Sequence, residues 1–157
     1  MKRKNILLSL AALLAVGLTL TSCLDDENPY TVGLGVAAPT RLAATLNGAN
    51  EKPTSTTSAA TGTFTGSLNT TTRVLSYTVT YQGFSEALTG GHLHKITLAN
   101  GTGPIDIPFP SLTSPIIATT SALRQGQVDS LLAGLYYANL HTRTYPAGEI
   151  RGEVRKQ

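Results

Sequence analysis

The sequence contains no tryptophan, a single cysteine, and charged residues at only 13 % of its positions. Its basic residues are scattered and have no aromatic residues interleaved with them, so nucleic-acid binding is not expected. No serine has a base and an acid in a recognised arrangement. The glycine-rich segment 99–104 follows a predicted strand and precedes no helix, so it is interpreted as a turn rather than a phosphate-binding loop. We therefore predict no catalytic residues.

Residues 1–22 have the pattern of a secretory signal peptide. Lys2, Arg3 and Lys4 precede an uncharged apolar run over residues 6–20, which is shorter than the about 20 residues that a membrane-spanning helix requires. An N-terminal anchor helix is the alternative interpretation. Removing the signal and its three basic residues leaves nine basic and nine acidic residues, so the pI near 9.2 does not indicate an acidic partner.

Cys23 follows the signal directly, in the sequence Leu20-Thr21-Ser22-Cys23. This sequence resembles the lipobox of bacterial lipoproteins, in which the peptide is cut before an invariant cysteine and the thiol is acylated. The resemblance implies anchoring by acyl chains such as palmitate, and stable anchoring takes more than one chain. A chance cysteine after an ordinary signal peptide is the alternative. With its only cysteine lipidated, the mature protein has no thiol for a disulfide, a nucleophile or a metal.

Residues 23–39 are predicted to form an acidic tether. Asp25, Asp26 and Glu27 lie next to the lipid, and residues 30–39 are small and show no periodicity. The acidic cluster resembles the surface-export signal of Bacteroidota lipoproteins. This resemblance implies an outer-membrane lipoprotein that faces the cell exterior. A solvated linker that only keeps the domain off the bilayer is the alternative.

The rest of the chain predicts short β-strands. In residues 73–82, Leu75, Tyr77, Val79 and Tyr81 alternate with polar residues, which is typical of a strand with one buried face. We predict an all-β fold, an antiparallel β-sandwich or barrel with one short helix. The other strands are predicted at residues 41–46, 61–68, 92–98, 116–119, 135–141 and 149–154, and the helix at residues 121–133.

Motifs in residues 40–157 resemble the CHRD domain, which was first described in chordin and is common in bacterial secreted proteins. The resemblance implies an immunoglobulin-like sandwich with limited similarity to copper/zinc superoxide dismutases, and it implies no particular reaction. Animal members often have a cysteine after the sequence Glu-Ile-Arg, where this chain has Gly152, so a disulfide there is excluded. The matching segments are Leu46 to Pro53, Gly91 to His94, Gly103 to Ile105 and, most specifically, Tyr137 to Gly152.

All three histidines, His92, His94 and His141, fall within these motifs. His92 and His94 are two residues apart on a predicted strand, so their side chains point to the same face. Together with His141 they could hold copper or zinc through neutral imidazole nitrogens. Superoxide dismutases also use a His-x-His strand for copper.

Two other roles remain open for these histidines. Ile96 and Leu98 continue the face of His92 and His94, so that face is expected to enter a core where imidazoles bridge backbone carbonyls. A solvent-facing role is the other alternative. The sequence favours hydrogen bonding, with His141 near Glu149 rather than in a three-histidine cluster. It accordingly predicts less than one equivalent of bound metal.

Glu149 and Arg151 share a face of the last predicted strand. They are expected to form an ion pair or hydrogen bonds that fix the turn at residues 145–148. Alternatively, Glu149 orients His141 as a carboxylate behind a metal ligand. Turn geometry alone accounts for the proline and glycine of this segment. The predicted structural motif consists of Tyr145, Pro146, Gly148, Glu149 and Arg151.

These features predict a lipoprotein of the bacterial cell envelope, displayed on the outer membrane, whose CHRD domain is a non-enzymatic binding or structural module. Its expected partners are the membrane, through the lipid, and a protein or extracellular ligand of unknown identity. No cofactor is expected. The alternative is a single-site copper or zinc protein with redox activity like that of superoxide dismutases, which use more histidines than the three present here.

Overall fold

The computed structural model describes residues 38–157. The signal peptide, the lipidation site Cys23 and the acidic residues Asp25, Asp26 and Glu27 lie outside the described residues, so the statements about them stay predictions. Within the described range, no helix combines the length and the apolar character needed to cross a membrane.

Eight antiparallel strands form one sheet, accompanied in residues 38–157 by one short α-helix. The strands are β1 (Thr40–Asn47), β2 (Thr61–Asn69), β3 (Val74–Gln82), β4 (Leu88–Lys95), β5 (Ile105–Pro108), β6 (Ile116–Thr119), β7 (Tyr136–Thr142) and β8 (Ile150–Lys156). The helix α1 spans Gln125–Leu132, and a 3-10 turn spans Gly48–Asn50. The order of strands in the sheet is β5-β4-β7-β8-β1-β2-β3-β6. The predicted all-β fold is confirmed.

The hairpin of β2 and β3 shows how the alternating pattern produces the sheet. Phe64 lies opposite Val79, and both side chains are fully buried. Burying a side chain of this kind stabilises the fold by about 1.5–3 kcal/mol. On the outer face, Thr63 lies opposite Thr80 and their hydroxyl oxygens are 2.7 Å apart in a hydrogen bond. Branched threonine side chains suit this pleated, half-exposed surface.

The sheet curls so that its two edge strands approach each other. Ile107 of β5 and Ala118 of β6 line the same cavity of about 420 Å³. Helix α1 is tied to this region because Nε2 of Gln127 donates to Oδ2 of Asp106 over 2.9 Å. Every strand therefore contributes to one core, whose fully buried members include Leu42, Leu46, Phe64, Leu68, Leu75, Val79, Leu93, Leu131, Tyr136, Ala138, Leu140, Ile150 and Val154.

Strand β7 is buried on both of its faces. One face joins the apolar core. The other carries polar side chains and is covered by the loops that follow β1 and β4. Thr56 in the first loop donates from Oγ1 to the carbonyl of Glu149 over 2.8 Å, and Arg151 donates from Nη2 to the carbonyl of Gly101 in the second loop over 2.6 Å. A polar layer thus lies between these loops and the sheet.

The structure corrects the predicted extent of β4. This strand ends at Lys95, and the backbone N–H of Leu98 donates to the carbonyl of Thr102 over 3.0 Å, which turns the chain back toward β5. Ile96 and Leu98 therefore do not extend the face of the histidines into the core, and Leu98 is 58 % exposed. The prediction that they do so is wrong.

Two further elements differ from the sequence pattern. Strand β5 is not predicted, because Pro104 precedes it and Pro108 ends it, and proline argues against a strand in so short a segment. Residues 121–124 are predicted to be helical but lie outside α1. The backbone N–H of Leu123 instead donates to the carbonyl of Arg73 over 2.8 Å, which ties this segment to the turn before β3.

Candidate metal centre

Strands β4 and β7 bring the three histidines of the chain together. His92 and His94 share a face of β4, as their spacing predicts. Strand β7 pairs with β4, and His141 lies opposite Gly90. A Cβ atom on Gly90 would lie only 2.9 Å from Cε1 of His92, so the glycine leaves the space that the His92 ring occupies. The ring centroids of His92 and His141 are 5.1 Å apart.

We refer to His92, His94 and His141 as the three-histidine cluster. The ring centroid of His94 lies 5.5 Å from that of His92 and 5.7 Å from that of His141. One ring nitrogen of each residue lies within 4.8 Å of the other two. The prediction that His141 lies outside such a cluster is wrong, because the sequence pattern does not reveal that β7 is the neighbour of β4.

Backbone carbonyls orient two of the imidazoles. Nδ1 of His94 lies 3.0 Å from the carbonyl oxygen of Gly103, and Nδ1 of His141 lies 3.1 Å from that of Pro146. A carbonyl oxygen only accepts hydrogen bonds, so each Nδ1 carries the proton and donates. Each Nε2 then has a free lone pair in the neutral ring. The structural hydrogen bonds that the sequence favours are therefore formed, and they leave the second nitrogen available.

Three buried ring nitrogens have no hydrogen-bond partner within the described part of the chain. They are Nδ1 of His92, Nε2 of His94 and Nε2 of His141. A buried polar atom without a partner costs about 1–3 kcal/mol. An ion bound by all three nitrogens would satisfy these atoms at once.

The protonation state of the cluster also suits a metal. Burial and the neighbouring imidazoles, opposed in part by the hydrogen bond to Pro146, lower the pKa of His141 from 6.5 to about 4. Burial likewise lowers the pKa values of His94 and His92. All three rings are therefore neutral at pH 7, so no proton has to leave a ligand nitrogen before a metal binds.

The donor atoms of the cluster suit one copper or zinc ion. Neutral imidazole suits both metals. Bonds of about 2.0–2.1 Å place the ligand nitrogens roughly 3–4 Å apart, so the rings would have to approach each other by on the order of 1 Å. In residues 38–157, no carboxylate or thiol belongs to this group of ligand atoms. The ion would therefore be held by three neutral ligands.

Comparison with known proteins identifies the family. Residues 42–154 match the CHRD domain. The chain belongs to the CHRD family. No curated protein and no solved structure matches the sequence significantly. The resemblance drawn from the motifs is thus confirmed, and CHRD membership indicates a binding or structural module.

Glu149 in the last CHRD motif fastens a turn to a strand. Its Oε2 accepts a hydrogen bond from the hydroxyl of Thr142, and its Oε1 accepts one from Ser58 over 2.6 Å. The turn itself closes where the N–H of Gly148 donates to the carbonyl of Tyr145 over 3.1 Å. The hydrogen bonds of Glu149 are of the kind that the sequence predicts around the turn, whereas Arg151 takes no part in them. The carboxylate oxygens of Glu149 contact hydroxyl groups rather than the ring nitrogens of His141.

Gly148 in the same CHRD motif has a φ of 136°, in the region that favours glycine. A Cβ atom there would lie 2.4 Å from Nδ2 of Asn139 and 2.7 Å from Oε1 of Glu51. The glycine therefore allows the turn to pack closely on these two buried polar side chains.

An ion pair between Arg151 and Glu149 is one of the alternatives that the sequence leaves open. The two side chains do not form it. The carboxylate oxygen closest to Arg151 in the described residues is Oε1 of Glu153, 3.5 Å from Nη2. The guanidinium carbon lies 3.6 Å from the ring centroid of Tyr137. Tyr137 in turn stacks on His94, with centroids 4.7 Å apart and planes 7° from parallel.

Sequence reasoning misses the contribution of Gly90 and Tyr137 to the cluster. Gly90 stands two residues before His92, where the Gly-Gly-His sequence is the only local signal of close packing. Tyr137 is part of the quoted CHRD motif, but no sequence pattern indicates that it stacks on His94. Both contacts depend on the register between β4 and β7.

Proposed function

We propose that this chain is a lipid-anchored protein of the bacterial cell envelope whose CHRD domain binds one copper or zinc ion without catalysing a reaction. The observation that supports metal binding is the three-histidine cluster with its three buried, unpartnered ring nitrogens. The signal-like N-terminus and Cys23 support the lipid anchor. The acidic residues after Cys23 support display on the outer face of the outer membrane.

Two features favour holding the ion over turning over a substrate. The side chains around the ion are largely buried, with His94 and His141 each 8 % exposed, which restricts the access of a substrate to the ion. The cluster also uses every histidine in the chain, so no imidazole is left for a second metal or for proton transfer. The displayed domain would present a surface stabilised by the ion to a protein or extracellular ligand.

The metal content of the full-length protein tests this proposal. The lipidated protein is purified in detergent, incubated with copper or zinc, and dialysed. Inductively coupled plasma mass spectrometry then measures the metal bound per chain. We expect one ion per chain in the wild type and a loss of most bound metal in His94→Ala. Thr65→Ala, on the exposed face of β2, is the control and should keep the metal.

Two outcomes would count against the proposal. A wild-type protein that binds neither copper nor zinc, while its circular dichroism shows a folded β-protein, removes the metal-binding function. Dismutation of superoxide by the loaded protein, at a rate above that of the same amount of free metal, contradicts the non-enzymatic part.

A further inference from the structure

Tyr137 links the three-histidine cluster to a buried positive charge. Its strand, β7, lies between β4, which carries His94, and β8, which carries Arg151. Because the two strands flank β7 on opposite sides, the imidazole and the guanidinium approach the tyrosine ring from opposite sides. The ring of His94 is 4.7 Å from the tyrosine centroid, and the guanidinium carbon of Arg151 is 3.6 Å from it.

Arg151 is fully buried and cannot move its charge into solvent. Nη2 is held by the carbonyl of Gly101, over 2.6 Å. The nearest carboxylate, that of Glu153, also contacts two further cations, Lys52 and Arg155. One carboxylate therefore meets three positive charges, so these four side chains keep an excess of positive charge.

The other carboxyl group facing Arg151 offsets this excess only in part. Glu51 is buried, and burial raises its pKa to about 7 despite the nearby charge of Arg151. At neutral pH a large share of the Glu51 side chains is therefore protonated and uncharged. The charge of Arg151 also lies close to the cluster, because only the ring of Tyr137 separates it from His94.

We propose that the three-histidine cluster selects Cu(I) over Zn(II) and Cu(II), because its ligands are neutral and Arg151 maintains a positive charge behind His94. This inference rests on the proposed metal-binding function. An ion with one positive charge loses less hydration free energy on burial than a dication does. It is also repelled less by Arg151. With only the three ligands of the cluster, Zn(II) would take a water molecule as its fourth ligand, whereas Cu(I) can remain three-coordinate.

Competition between ions tests this selectivity in the wild-type, full-length protein. Cu(I) is supplied as a copper salt with excess ascorbate under anaerobic conditions, and its affinity is measured against a Cu(I)-specific chromophoric chelator. Zn(II) affinity is measured against a zinc chelator in the same buffer. We expect Cu(I) to bind at least tenfold more tightly than Zn(II), and the bound copper to have a reduction potential above that of aqueous copper.

Two substitutions at Arg151 test the origin of the selectivity. Arg151→Gln removes the charge and should lower the ratio of Cu(I) to Zn(II) affinity by roughly tenfold or more, with a lower copper potential. Arg151→Lys keeps the charge and should restore most of both values. Lys156→Gln, an exposed charge at the end of β8, is the control and should change neither.

The outcomes separate this inference from the proposed function. Equal or tighter binding of Zn(II) by the wild type overturns the Cu(I) preference and leaves metal binding intact. An unchanged ratio and potential in a folded Arg151→Gln variant overturns the role of Arg151. Absence of binding for every ion removes the proposed function and the inference together. If Arg151→Gln does not fold, the wild-type affinity ratio decides.

Discussion

Nδ1 of His141 donates a hydrogen bond to the carbonyl oxygen of Pro146, 3.1 Å away. The bond connects the last CHRD motif to the three-histidine cluster, because Pro146 belongs to the turn that Glu149 fastens to β7. The turn thereby sets both the orientation of the His141 ring and the tautomer in which Nε2 keeps its lone pair.

The metal-free protein should lose stability as the pH falls from about 6.5 to about 4. Burial lowers the pKa of His141 to about 4, so in this range the unfolded chain binds a proton at this residue and the folded chain does not. The contribution of His141 is fully present above the unfolded pKa and is lost as the pH falls, by at most about 3 kcal/mol. Urea unfolding with a chelator present, at pH 7 and pH 4.5, measures the change.

The matched variant for this prediction is His141→Gln, which cannot titrate in this range. Its free energy of unfolding should depend less on pH than that of the wild type, and the difference between the two slopes isolates His141 from the carboxyl groups. Identical pH dependence in both proteins would show that His141 has an ordinary pKa in the folded state.

Glu149→Ala should destabilise the domain by about 2–3 kcal/mol, because Thr142 and Ser58 each lose a charge-assisted hydrogen bond. Urea unfolding measures this loss. The folded fraction should keep its copper or zinc, since Glu149 contacts hydroxyl groups and not the ring nitrogens. Asp129→Ala removes an exposed carboxylate of α1 and should lower the free energy of unfolding less. Loss of metal from folded Glu149→Ala would instead assign Glu149 to orienting His141.

Val79→Ala should destabilise the domain by about 1–3 kcal/mol, because Val79 is fully buried and its truncation leaves a cavity. Thr78→Ala, on the opposite face of β3, should lower the free energy of unfolding much less. Chemical denaturation of the two variants gives the comparison. An equal loss of unfolding free energy in the two variants would mean that burial does not distinguish the two faces of β3.

Mass spectrometry of the native protein should find Cys23 at the N-terminus with acyl chains attached, because the preceding sequence resembles a lipobox. Cys23→Ala should stop lipidation and release or mislocalise the protein. A mature form that begins at another residue and carries no lipid would rule out the anchor.

Protease added to intact cells should remove the domain if the acidic residues after Cys23 direct it to the outer face of the membrane. Replacing Asp25, Asp26 and Glu27 with alanine should protect the domain by retaining it in the periplasm. A periplasmic marker protein controls for membrane integrity. Equal protection of both forms would argue against surface export.

Sequence patterns predict much of the fold, because local alternation determines which side chains can face a core. The pattern around Val79 places β3 correctly, and the spacing of His92 and His94 places both rings on one face. Strand β5 is missed because Pro104 and Pro108 bound its short segment and argue against a strand. The end of β4 depends on a turn closed by Thr102.

The sequence by itself determined the all-β class, the CHRD resemblance and the pairing of His92 with His94, since each depends on residues close together in the chain. The tertiary structure decided that His141 joins them and that Arg151 lies behind His94 across Tyr137. Both relationships arise because β7 lies between β4 and β8 in a defined register. Strand order and register are set by how the whole sheet buries its core, and a local pattern carries no information about them.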